Sequence, residues 1–139
     1  MAAMTAAQRD AFLAGARIGV LATLGSDGAP LAIPIWYEWD GELARMFTDI
    51  NSPKVARLRR DGRVCLTVAE PTGVPEAWVA IEGTATIQEG TGFALAQRLA
   101  PRYYPPAQAE QTLIAWERGA EHWATIVLTP RRIRSSAPE

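Results

Sequence analysis

The spacing of turn signals limits most strongly what this chain can fold into. Ser26-Asp27-Gly28, Asp40-Gly41, Asp61-Gly62 and Gly90 cut the first ninety residues into short pieces, most of them apolar or alternating. Such pieces read as β-strands joined by tight turns, because Gly and Asp supply the backbone conformations and local hydrogen bonds that turns require. The run Ile18 to Leu24 is too short and too apolar for a surface helix. Leu31 to Trp39 alternates, with Leu31, Ile33, Ile35 and Tyr37 on one face and Ala32, Pro34, Trp36 and Glu38 on the other. Leu43 to Thr48, Arg63 to Glu70, Ala77 to Gln88 with a bulge at Gly83, and Trp123 to Leu128 complete the set. About six strands with short helices between them close most naturally into a small antiparallel β-barrel, a mainly β fold with helical inserts.

The helices show in their boundaries. Thr5 followed three residues later by Gln8 forms a capping box ahead of a helix over 6–16. Pro53 opens a second helix that runs to about Arg60, and two amphipathic segments follow Gly90, over 91–99 and 107–118. Residues 131–139 read as an exposed tail.

Length and charge narrow the function. The 139 residues are most simply one domain, over 1–139, and 48% apolar content supports a real core. Fourteen basic and fifteen acidic side chains give a net charge of -1, which argues against wholesale binding to nucleic acid or an acidic membrane. One cysteine, Cys65, excludes an internal disulfide, and its place in V-C-L-T-V marks it as a buried filler. One histidine, His122, cannot make a multi-histidine metal centre, no nucleophilic triad can be assembled around it without inventing contacts, and no carboxylate pair stands out. No signal-like start and no long apolar run is present, so a soluble, cytoplasmic protein is expected.

The segment Met46 to Arg60, M-F-T-D-I-N-S-P-K-V-A-R-L-R-R, carries the most chemistry. A strand ends in a polar turn, Ser52-Pro53 starts a helix, and Lys54 lies in the first helical turn. Free amides at a helix start attract anions, while a lysine there opposes the macrodipole by a few tenths of a kcal/mol up to about 1. The arrangement calls for something negative opposite Lys54. Thr48 and Ser52 offer hydroxyls, Asn51 an amide, and Arg57 lies one turn on, a donor set suited to a phosphate. The plainer reading makes Ser52 an N-cap and Lys54, Arg57, Arg59 and Arg60 a solvated helix face.

Pro34-Ile35-Trp36 lies one strand back and would flank that site if its strand pairs with Leu43–Thr48 through the Asp40-Gly41 hairpin. Proline cannot donate to a ladder, so Pro34 marks an edge, a bulge, or a face where a ligand or second chain meets the backbone, and the last is preferred. An apolar, aromatic wall beside a phosphate clamp suits a flat conjugated ring with a phosphate tail. With no acid–base side chains in evidence, a cofactor would carry the chemistry.

Taken in order, R-I-G-V-L-A-T-L-G-S-D-G-A-P (17–30), I-P-I-W-Y (33–37), F-T-D-I-N-S-P-K-V-A-R-L-R-R-D-G-R-V (47–64) and I-E-G-T-A (81–85) resemble the pyridoxamine 5'-phosphate oxidase-like flavin-binding split-barrel family. The resemblance implies a six-stranded split β-barrel that forms a homodimer, with a flavin or deazaflavin in each of two grooves at the interface. It implies that Lys54, Thr48 and Ser52 hold the cofactor phosphate and that Pro34, Ile35 and Trp36 line the ring. Trp78 would close the groove from the second protomer. Many relatives carry a second basic residue just before the lysine, where this chain has Ser52-Pro53, which implies weaker phosphate affinity. Authentic pyridoxamine 5'-phosphate oxidases also carry a substrate-binding arginine and histidine near the C-terminus, whereas 128–139 holds no histidine.

The expected activity is hydride transfer to or from a small organic substrate, with FMN ahead of an 8-hydroxy-5-deazaflavin as cofactor and vitamin B6 oxidation not expected. The competing expectation is a non-catalytic module that holds a flavin, haem or other small ligand in the same groove.

Overall fold

The computed structural model describes residues 1–139. Helix α1 (Ala6–Ala14) starts as the capping box requires: Thr5 accepts from the Gln8 amide at 3.2 Å, and the Gln8 side chain accepts from the Thr5 amide at 2.8 Å. Strands β1 (Gly19–Leu24), β2 (Pro30–Ile35), β3 (Glu38–Trp39) and β4 (Ala44–Asp49) follow, then α2 (Pro53–Arg60), β5 (Arg63–Ala69) and β6 (Trp78–Gln88). Helices α3 (Gly92–Tyr103) and α4 (Pro106–Glu117), a 3-10 turn (Ala120–His122) and β7 (Trp123–Ser136) complete the chain. No helix is long and apolar enough to cross a membrane.

All seven strands join one antiparallel sheet in the order β2-β1-β5-β6-β7-β4-β3, and its class is that of the split barrel. Six strands were expected. The seventh arises because the long second strand breaks between Ile35 and Glu38. Trp36 and Tyr37 are claimed by different neighbours: Trp36 packs among aromatic rings, and Tyr37 is fully buried in the core. The Tyr37 amide donates to Tyr103 Oη at 3.3 Å and leaves the ladder there. Consequently Asp40-Gly41 joins only β3 to β4, while β2 pairs with β1 and forms one edge of the sheet. Pro34 therefore sits on an edge strand, where its missing N–H removes no interior ladder bond.

The C-terminus also differs from expectation. Residues 131–139 were read as an exposed tail, yet β7 continues through Ser136, paired to β6 as far as Trp78. Three arginines hide the signal, because they face outward on a strand whose inward residue, Ile133, packs against the core. The bulge expected at Gly83 is present: Glu82 pairs with Arg132 but Gly83 pairs with Pro130, which leaves Arg131 without a partner. A Cβ on Gly83 would lie 2.0 Å from the Thr129 carbonyl oxygen, so only glycine admits this approach.

The core lies on the inward face of the curled sheet, where Leu21, Met46, Leu66, Ile81, Ile126 and Leu128 are essentially inaccessible. Tyr37 ties α1 to it by sharing its hydroxyl proton between the Leu13 and Gly15 carbonyls, at 3.0 and 3.1 Å. Burial, with Tyr103 nearby, pushes the Tyr37 phenol up to about 12. A second apolar body lies on the other side of β4 and β7, where Trp36, Phe47, Tyr103, Tyr104, Trp116 and Trp123 pack edge-on and stacked. This cluster fastens α3 and α4 to the sheet and accounts for three of the five tryptophans.

Candidate functional site

The exit of β4 builds the site. The Asn51 amide donates to Asp49 Oδ1 at 2.7 Å and the Ser52 amide to the Asp49 carbonyl at 3.0 Å, so Asp49 holds the turn that aims α2. Ser52 occupies the N-cap with extended backbone, but its side chain makes no capping bond. Its Oγ instead accepts from Thr48 Oγ1 at 3.0 Å, which places two hydroxyls side by side at the head of the helix. Thr48 is buried, Ser52 and Lys54 are half-buried, and Asn51 is exposed.

Lys54 is the chain's only lysine. Its amide finds no acceptor within the chain, and no carboxylate pairs with its ammonium. Burial, and secondarily the Arg57 charge, hold its pKa below the ordinary value of 10.5. Arg57, one turn on, donates from Nε to Thr23 Oγ1 of β1 at 2.9 Å. The helix start thus presents a free amide, a desolvated ammonium and two hydroxyls, backed by a guanidinium held in place by the neighbouring strand. An anion placed there would relieve both the ammonium's lack of a partner and the repulsion between Lys54 and Arg57.

Of the residues singled out from sequence, the structure joins Thr48 and Ser52 by a hydrogen bond at the head of the helix whose first turn carries Lys54, and puts Asn51 on the adjoining turn. Pro34 is exposed, opposite Val20, and Ile35 lies opposite Gly19 against the core. The strand pairing expected to carry them to the site is absent, since their partner is β1 and not β4. Trp36 reaches β4 by another route, on the face opposite Thr48: its ring meets Phe47 at 6.0 Å edge-on and stacks on Tyr103 at 4.7 Å with the planes 2° apart. Trp78 lies at the far end of β7. It pairs with Ser136, whereas Thr48 pairs with Ala124, about 40 Å of strand away at ~3.3 Å per residue.

Two features escaped sequence reasoning. Thr23 has no local motif; its only signal is a hydroxyl at the inward position that continues Gly19 and Leu21. Cys65 was read as a buried filler, yet it is half-exposed on the outward face, because Val64 and Leu66 take the inward positions of β5.

Comparison with known proteins places these observations. The sequence model described as pyridoxamine 5'-phosphate oxidase matches residues 5–135. Among solved structures, the conserved hypothetical protein Rv2991 of Mycobacterium tuberculosis is 29% identical with a TM-score of 0.75, over 96% of this chain and 85% of that one. An F420 reductase, at 23% identity, matches with a TM-score of 0.72 over 89% of this chain and 94% of its own. An FAD-binding protein of Mesorhizobium loti, at 18% identity, matches with a TM-score of 0.65 over 96% and 93%. The last two likenesses show the fold alone. No curated protein matches the sequence.

Proposed function

The chain belongs to the pyridoxamine 5'-phosphate oxidase family, and from that membership we propose that it is a homodimeric, flavin- or deazaflavin-dependent oxidoreductase acting on a small organic molecule. The observation that carries the proposal is Lys54: a half-buried ammonium and a free amide at one helix start, beside the Thr48 and Ser52 hydroxyls, with no anion of the chain's own to meet them. These donors fit the phosphate of FMN, which is the leading cofactor, and equally the phosphate of a deazaflavin. Solved relatives named as an F420 reductase and an FAD-binding protein support this choice of cofactor class.

The bound cofactor would supply hydride chemistry, and the residues of this chain would bind and orient it. Lys54 and its amide hold the phosphate, with Asn51 at the edge of the turn. Thr48 excludes water from behind it, because its hydroxyl is buried. Arg57, held by Thr23, keeps the potential positive without entering the clamp. Trp36, braced by Tyr103, forms a rigid aromatic flank beside β4. The outward faces of β1 and β2 carry Val20 and Pro34, next to exposed Ile18, an apolar strip that a second protomer would cover, with its Trp78 closing the groove, while Ile35 supports the strip from the core side. Oxidation of a vitamin B6 phosphate is not the proposed reaction, because the C-terminal strand offers arginines but no histidine.

The absorbance spectrum of purified protein, with mass analysis of what denaturation releases, tests the proposal. Flavin or deazaflavin bound near one per chain, and reoxidised from its reduced form when substrate is added, is the expected result. Protein that binds neither FMN nor a deazaflavin would overturn it. Stoichiometric binding without turnover toward any acceptor would favour a non-catalytic carrier.

A further inference from the structure

A second cationic feature lies on the outward face of β5, β6 and β7, apart from the Lys54 clamp. Arg63, Cys65, Glu82, Arg131, Arg132 and Arg134 line a groove of about 240 Å³. The chain as a whole carries a net charge of -1, so four guanidiniums in one groove are a local concentration and not an overflow of a basic composition.

The bulge builds this groove. Consecutive strand residues point to opposite faces, and Arg131 and Arg132 would ordinarily be divided between the inside and the outside of the sheet. Because Glu82 pairs with Arg132 and Gly83 with Pro130, Arg131 is the extra residue of the bulge and turns into the same groove as its neighbour. The arrangement needs Gly83, since any side chain there would strike the Thr129 carbonyl. Like charges gathered on one sheet face cost a modest amount of stability. An anion bound between them would offset that cost.

The carboxylates present do not balance the groove. Arg134 bonds Glu82 at 3.0 Å and Arg63 bonds Asp61 at 2.7 Å, while Arg131 and Arg132 have no ionic partner. A guanidinium fork recognises carboxylate and phosphate oxygens in pairs, and two unpaired forks side by side suit a compact, multiply charged oxyanion. The small size of the groove and the acidic chain argue against a nucleic acid strand.

We propose that this groove is a second anion site, which takes a small ligand bearing two or more phosphate or carboxylate groups through Arg131 and Arg132, with Arg63 and Arg134 at its rim. A hollow lined by Ala22, Thr23, Leu24 and Pro30 adjoins it across Arg63, Val64 and Cys65.

Calorimetric titration of the intact protein with sodium diphosphate and, separately, with citrate, at matched ionic strength, tests the proposal. One of the two probes should bind at about one per chain, diphosphate if phosphate groups are recognised and citrate if carboxylates are. The R131Q/R132Q double variant, altered at two exposed positions, should bind that probe at least about tenfold more weakly, the loss expected when charge-assisted bonds are removed. Glu82→Gln, which frees Arg134, should tighten binding several-fold, and Lys54→Ala should leave unchanged the binding that the arginine double variant loses. Failure of wild-type protein to bind either probe would overturn the proposal. So would unchanged binding in the arginine double variant, or binding lost only in Lys54→Ala, which would place the anion at α2.

Discussion

Arg57 on α2 donates its Nε–H to Thr23 Oγ1 on β1 at 2.9 Å, a bond that spans 34 residues of sequence and ends on a threonine only 2% exposed. It fixes the angle at which α2 leaves the sheet, and with it the position of Lys54 one turn earlier. Thr23→Val keeps the shape and removes the acceptor. The variant should lose about 1–2 kcal/mol of stability, read by urea denaturation, because the Arg57 bond is broken in a part-buried setting. It should also weaken FMN binding several-fold, although Thr23 itself is no part of the clamp.

The state of Lys54 sets a pH dependence. Its pKa is lowered in the free protein by burial and by Arg57, and an anion beside it would raise that pKa again. Binding is then linked to proton uptake: affinity is full below the lowered pKa and declines as pH rises through it, in the alkaline range below lysine's ordinary 10.5. Lys54→Arg holds its charge at all these pH values and should flatten the decline. FMN affinity measured from neutral to alkaline pH in both proteins checks this.

Tyr37 predicts an alkaline transition of the fold itself. Its phenol is pushed up from 10.0 to about 12 by burial, so the folded state holds the proton more tightly than the unfolded one. The corresponding stability is fully present below pH 10, is lost as pH rises through about 12, and amounts to roughly 3 kcal/mol at 1.36 kcal/mol per pKa unit. Tyr37→Phe should remove that slope. At neutral pH it should cost about 1–2 kcal/mol through the bonds lost to the Leu13 and Gly15 carbonyls. Denaturation midpoints followed across pH separate the two effects.

Gly83→Ala addresses the bulge. The added methyl would meet the Thr129 oxygen at 2.0 Å, and relief requires β6 and β7 to part. A loss of about 3 kcal/mol is expected, at the upper end for overpacking, since backbone and not a flexible side chain must yield. Thermal or chemical denaturation reads it directly.

How much of this was legible in the sequence depended on how local each signal was. The capping box at Thr5 and Gln8, the helix opened by Pro53 and the bulge at Gly83 follow from neighbouring residues, and the structure has all three. The break at Trp36 and Tyr37 was not legible, because continuous alternation hides that the two rings pack against different bodies. The outward arginines of β7 imitated a tail for a similar reason: one inward Ile133 is too little periodicity to declare a strand. At the candidate site, the placing of Thr48, Ser52 and Lys54 around one helix start was readable from one strand–turn–helix segment. Thr23 was not, since its partner lies on a different element and nothing in the intervening sequence couples them.

The central claim is that the α2 start holds a cofactor phosphate through Lys54, and equilibrium titration of FMN into wild-type protein, Lys54→Arg and Lys54→Ala tests it most directly. Loss of a charge-assisted bond is worth about 1.5–3 kcal/mol, or roughly ten- to a hundredfold in affinity. Lys54→Ala should weaken binding by that much with an unaltered denaturation midpoint or a slightly higher one, because the replaced ammonium is desolvated and unpaired in the free protein; Lys54→Arg should retain most of the affinity. FMN affinity equal in wild type and Lys54→Ala would contradict the account and return Lys54 to the surface charge of an ordinary helix.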